Sequence, residues 1–237
     1  MDKFAEKFNT FDIFTMLIPG IYISSLFCIS LSFNYYSLWI KMGNEKYLIF
    51  IIFSYFCGII YQELGTMFDK KFLYKILYKG NPREIFLLEN GHDTILNEEL
   101  FFRSALKIKE YIITNLHIQI NSNMTENEEK DLNSLIFGYC LNLSEINNLT
   151  GKSEKMIMLS EMSRSLFWGC ISTIILNIFM IIICPSFCIF YCVEIFFLFI
   201  ASYIFIQRKK RYEKYRIRIL LRTLLLHIYK PTQLPTV

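Results

Sequence analysis

Apolar positions gather into four blocks along the chain: residues 13–33, 47–61 with an extension toward 64, 165–184, and 187–206. A helix that crosses the hydrocarbon of a bilayer needs about 20 mostly apolar residues. Three blocks reach that length. The second holds ~15, a length that also suits a buried or re-entrant helix. Only Pro185 and Ser186 part the last two blocks, which predicts two helices joined by a tight turn.

Between the second and third blocks the polarity is ordinary and the apolar positions fall at helical spacing. Phe68, Phe72, Leu73 and Ile76 prolong the second block as an amphipathic helix, which Gly80-Asn81-Pro82 should end. Asn90-Gly91 reads as a turn and Asp93 as a cap. Ala105, Ile108 and Ile112 form one stripe, and Leu132, Leu135, Ile136, Tyr139, Cys140 and Leu143 another. Thr125 and Glu128 have capping-box spacing at the start of the second stripe. A last helix starts near Ser153 and runs unbroken to Cys184, about 48 Å. The pattern thus predicts an all-α integral membrane protein of four transmembrane helices in two hairpins, with a helical cytosolic domain inserted between them. The divisions are residues 1–64, 65–164, 165–206, and a basic tail, 207–237.

Composition agrees with that class. The chain is 54% hydrophobic and 19% charged, against roughly 45–50% and 25% in soluble domains. Lysine and arginine set the orientation. They fall mainly on three segments, the N-terminal one (Lys3, Lys7), the central one and the tail from Arg208 onward, with Lys41 and Lys46 on the first loop. Four spans with both termini in the cytoplasm place all three on one side. The first block is long, lacks a small-residue cleavage pattern and is followed closely by another, so it reads as a retained span rather than a signal peptide. The sequons at Asn123, Asn142 and Asn148 then lie inside and carry no glycan.

The chemistry of a typical enzyme is missing. His92, His117 and His227 have no metal spacing, the seven cysteines make no CxxC pair, and no phosphate-binding or nucleophile motif occurs. No catalytic residue, cofactor or metal is expected. Cys188 and Cys192, four apart, read as packing residues.

Four other features carry possible function. In FDIFTMLIPG, Asn9, Thr10 and Asp12 are suited to capping a helix entering the membrane. Pro19 removes a hydrogen bond two turns later and Gly20 admits a close neighbour, which predicts a bend and permits a hinge. Glu194 lies inside the fourth block, where a carboxyl must face a partner or water. It is a candidate pore, ion-binding or proton-titrating group, or else a neutral acid bonded to a neighbour such as Asn177. Gln62 and Glu63 near the inner end of the second block are a wet vestibule or the interface. Finally, the basic residues suit anionic lipid or an anionic ligand such as a nucleotide. These are Lys70, Lys71, Lys75, Lys79, Arg83 and Arg103 in the centre, and Arg208, Lys209, Lys210 and Arg211 on the tail. Beyond them Ile217, Leu220, Leu221 and Leu224 form a stripe beside Arg216, Arg218 and Arg222.

The opening FDIFTMLIPG, two spans, a helical insert, and SEMSRSLFWG leading into a closing pair of spans together resemble a loose group of bacterial membrane proteins encoded with anti-phage defence systems. The Hailong effector and the Kiwa membrane component are of this kind. The resemblance implies a homo-oligomeric effector of the inner membrane, a tetramer among the candidates, held inactive until infection and then opening a pore. In the Hailong case it also implies control by a nucleic-acid-type oligomer from a partner nucleotidyltransferase. A ligand-gated channel is therefore the first expectation. A non-conducting anchor that recruits a soluble partner is the alternative.

Overall fold

An apolar run that must leave water can satisfy its backbone N–H and C=O groups internally as a helix, and every described element of this chain is helical. The computed structural model describes residues 10–41, 45–88, 99–115, 117, 124–147 and 151–228. Asn9, the Asn90-Gly91 turn, His92, Asp93, and the sequons at Asn123 and Asn148 lie outside them.

A helical turn, Thr10–Asp12, and a π-helical segment, Ile13–Leu17, lead into α1 (Ile18–Lys41). Next come α2 (Glu45–Phe68), a second π segment (Asp69–Leu73), α3 (Tyr74–Tyr78) and α4 (Pro82–Ile85). Then follow α5 (Glu99–Asn115), α6 (Glu126–Ile146), α7 (Gly151–Ile183), a 3-10 turn (Pro185–Phe187) and α8 (Cys188–Ile228). Among the described residues four stretches are long and apolar enough to cross a membrane: Ile13–Leu31, Glu45–Tyr78, Gly151–Ile183 and Pro185–Leu226. The second block is therefore not short. Its helix, α2, holds 24 residues, about 36 Å.

The chain divides into two compact units. One holds Met1–Phe68 and Met158–Arg211, the other Asp69–Ile157 and Tyr212–Val237. The interior of the first unit inverts the usual pattern. Its fully buried positions include Ser24, Ser30, Ser54, Ser163, Ser165, Thr173 and Asn177, while Ile52, Phe53, Phe56, Phe179, Ile182, Phe196 and Phe197 are exposed. Small and hydroxylated residues let helices approach closely when the surroundings are as apolar as the side chains. Several of the hydroxyls bond back to the carbonyl four residues earlier, as Ser30 does to Leu26 at 3.0 Å and Thr173 to Gly169 at 2.9 Å.

Two glycines allow a close helix contact in this unit. A Cβ on Gly20 would collide with the Ser54 carbonyl, and one on Gly58 with that of Met16, so α1 and α2 touch backbone to backbone. A Cβ on Gly169 of α7 would strike Ile23. Tyr22 meets Phe205 of α8 edge-on, with ring centroids 6.1 Å apart. Helix α1 thus packs against the other three.

Pro19 is absorbed by the π segment before it. The Ile18 N–H bonds to Ile13 O, five residues back, and the Thr15 hydroxyl donates to Phe11 O at 2.8 Å. A proline has no N–H for the carbonyl four residues earlier and crowds it; the wider turn takes up that crowding. Asp12, expected to cap, lies within the helix and makes no capping side-chain bond.

The second unit has the interior of a water-soluble domain. Tyr78, Ile85, Phe86, Ala105, Ile108, Ile112, Ile136, Phe137 and Cys140 form one buried cluster with Ile217, Leu220, Leu221 and Leu224. The stripe of the basic tail belongs to this core. The α3 helix ends on Lys79 in the left-handed region (φ 62°), not on the adjacent Gly80, and Asn81 then caps α4 through the Arg83 N–H. Glycine at 80 instead leaves room for Ile85, whose Cγ2 would lie 2.9 Å from a Cβ there. At the start of α6 the Thr125–Glu128 capping box is complete: the Thr125 N–H donates to Glu128 Oε2 at 2.7 Å and the Glu128 N–H to Thr125 Oγ1 at 3.4 Å.

Candidate functional site: a polar cluster among apolar helices

Glu194 is the seventh residue of α8, about 9 Å from its first residue along the axis. Its neighbours come from three helices. The Ser30 hydroxyl of α1 lies 3.1 Å from Glu194 Oε1 and donates to it. The same oxygen is 3.0 Å from Leu26 O, so its single hydrogen is shared between two acceptors. The Tyr191 hydroxyl, one helical turn before Glu194, donates to Ser30 O at 3.3 Å. Asn177 of α7 faces the same carboxyl. Neither end of its amide, nor Glu194 Oε2, makes a hydrogen bond of good geometry. Ser30, Tyr191 and Asn177 have no exposed surface, and Glu194 is half-buried.

Residue type alone points to Asn177 as a neighbour of Glu194, and the structure sets the two facing each other without a hydrogen bond of good geometry. Ser30 and Tyr191 were not singled out. Serine in an apolar helix usually bonds its own backbone, so nothing local marks Ser30 as a partner. Tyr191 precedes Glu194 by three residues, a spacing that puts both on one face, which was the available signal. Pro19 and Gly20 are buried against α2 and do not join this cluster. Ten residues part Gly20 from Ser30, about 15 Å along α1.

At another level of the first unit, the Arg164 guanidinium pairs with Glu161 and donates to Gln62 O at 3.3 Å. Gly65 gives it room: a Cβ there would lie 2.9 Å from Arg164 Nε. Gln62 is thus tied to a buried cation, whereas Glu63 is exposed.

The basic candidates separate by burial. Lys71, Lys75, Lys79, Arg83 and Arg103 of the second unit are exposed. The side chain of Lys70 lies outside the described set. In the first unit Arg208 and Arg211 are exposed and Lys210 is half-buried. Lys209 departs from this cluster: it is only 2% exposed and so is no surface ligand for lipid or nucleotide. Arg216 behaves likewise. It is buried, 3.6 Å from Glu213, and its guanidinium lies 5.4 Å from the Phe137 ring centroid. Arg83 lies 5.6 Å from the same ring.

The sulfur atoms of Cys188 and Cys192 are 3.9 Å apart, but no group of three or more metal-ligating side chains occurs among the described residues. Burial pushes the Cys140 thiol up to about 12, which leaves it protonated and a poor nucleophile.

No protein-family model, curated protein or solved structure matches the chain.

Proposed function

We propose that the chain is the subunit of an oligomeric, signal-gated channel, or membrane-depolarising effector, of the bacterial inner membrane. The observation that carries this reading is the carboxyl cluster of Glu194, Ser30 and Asn177, set between apolar helices with Glu194 half-buried. An acid retained at such a position is costly and is typical of ion and proton pathways. The inverted interior of the first unit, small and polar inside and large and apolar outside, favours its being the membrane part. Four spans are too few to enclose a wide pore in one subunit, so a symmetric homo-oligomer is expected.

In this reading the second unit is the cytosolic receiver, inserted between two hairpins. Its exposed Lys71, Lys75, Lys79, Arg83 and Arg103 meet an anionic signal, a nucleotide or an oligonucleotide made by a partner enzyme. A ligand that binds one conformation better raises the population of open pores. The role in anti-phage defence rests on the resemblance of the sequence layout. The separate core of the second unit favours a second reading, a non-conducting anchor whose domain recruits a soluble partner.

Membrane potential in bacteria after induction of the chain tests the choice, with Glu194→Gln at matched expression beside it. Depolarisation that is weaker in the variant is expected. Depolarisation of equal size in both would remove Glu194 from the pathway. An unchanged potential in both, with a soluble protein co-purifying through the second unit, would favour the anchor.

A further inference from the structure

We propose that Glu194, Asn177 and Ser30 form a binding site for one small monovalent cation, a proton or an alkali-metal ion. The first argument is charge. The groups bonded to or facing the Glu194 carboxyl are Ser30 and Asn177, both neutral. The titratable groups nearby are Tyr191 on the same helix and, next to that ring, Cys184. The partners that α1 and α7 give it, Ser30 and Asn177, do not titrate. Among the described residues no lysine or arginine balances the carboxylate, and an unbalanced carboxylate in such surroundings costs several kcal/mol. The balancing charge must come from outside the chain. A divalent ion would leave a net positive charge in its place, so a single positive charge matches the site.

The second argument is a set of unpaired polar atoms. Glu194 Oε2 and both ends of the Asn177 amide, Oδ1 and Nδ2, make no hydrogen bond of good geometry, and Asn177 has no exposed surface through which water could serve it. A buried amide without partners costs about 1–3 kcal/mol for each unpaired group. A fully buried asparagine turned toward a carboxyl, with no hydrogen bond of good geometry between them, suits a cation held between the two. A proton on Oε2 donates to Asn177 Oδ1. An alkali ion takes the carboxylate, Oδ1 and the Ser30 hydroxyl oxygen as ligands, the hard oxygen donors such ions favour. The Tyr191 hydroxyl, held on Ser30 O, fixes α1 against α8 and so fixes the distance between these oxygens. The site needs only that the helices enclose it, and holds whether or not the protein conducts.

The test uses the purified full chain in detergent micelles. Its unfolding midpoint is followed from about pH 5 to about pH 9 in choline, sodium and potassium chloride, for wild type and Glu194→Gln. A cation bound only to the folded state stabilises by mass action. If the ligand is a proton, the wild type loses stability as pH rises, equally in all three salts, and the variant does not. If it is an alkali ion, the wild-type midpoint rises with sodium or potassium over choline, and the variant is indifferent. Parallel profiles for both proteins across pH and salt overturn the proposal. Should Glu194→Gln fail to accumulate, Asn177→Leu must show a reduced response. Infrared spectra of the wild type, labelled in glutamate, must then show a carboxyl band that responds to pH or to the alkali ion, and a band indifferent to both overturns the site. A planar bilayer that stays silent with and without added oligonucleotide, together with a positive result here, would reject the channel and leave the site standing.

Discussion

Replacing Gly20 by alanine adds one methyl where α1 and α2 touch. Its Cβ would lie inside the Ser54 carbonyl oxygen, 2.8 Å from Ser54 C and 3.0 Å from Gly58 N. Carbon and carbonyl oxygen rest at about 3.3 Å or more, so the helices must part by about 1 Å or more. The obstructing atoms are all backbone, and no rotamer change relieves them. Overpacking costs about 1–3 kcal/mol even where side chains yield, which puts this site near 3 kcal/mol. Alanine returns up to ~1 kcal/mol in helix propensity. The net loss is about 2 kcal/mol, roughly 30-fold in the folding equilibrium. Titration of the purified chain from mild detergent into dodecyl sulfate measures it. Gly138→Ala is the control, because a Cβ there meets nothing within 4 Å; it gains up to ~1 kcal/mol. A Gly20→Ala protein as stable as wild type would refute the backbone contact between α1 and α2.

Thr125→Ala removes the cap of α6 and costs about 1 kcal/mol, read as faster amide exchange in its first turn. Bonds from the Thr125 N–H, and then from its hydroxyl, hold the Glu128 carboxyl below its usual range. Its contribution is therefore present above the unfolded carboxylate pKa of about 4.3 and is lost as pH falls through the lower folded value. Thr125→Ala narrows that loss, and a titration of Glu128 by NMR checks it. Arg216→Ala leaves Glu213 buried without this cation and lowers stability by about 3 kcal/mol, measured by thermal unfolding. Arg218→Ala, on a half-buried neighbour, costs less, and equal losses would contradict the burial argument.

The spans and the second capping motif were legible because each is a local pattern: length of apolar run in one case, a three-residue spacing in the other. The carboxyl of Glu194 stood out because no such group is retained cheaply among apolar residues. The second span read short because Gln62 and Glu63 mark its end in sequence, while in the structure Arg164 reaches across from α7 to the Gln62 carbonyl. What escaped depends on partners distant in sequence. Gly20 reads as half of a helix breaker until Ser54 is seen against it. Lys209 and Arg216 lie in a run of basic residues, and no local signal separates the two that are buried from the exposed Arg208 and Arg211. Asp12 has the composition of a cap, but the helix begins before it.

Current across a planar bilayer containing the purified full-length chain tests the channel reading most directly. Wild type and Glu194→Gln are compared, each with and without added oligonucleotide. Discrete current steps from the wild type, altered in conductance or ion preference by Glu194→Gln, are the predicted result. A bilayer that stays silent with inserted wild-type protein, with and without the oligonucleotide, would contradict it.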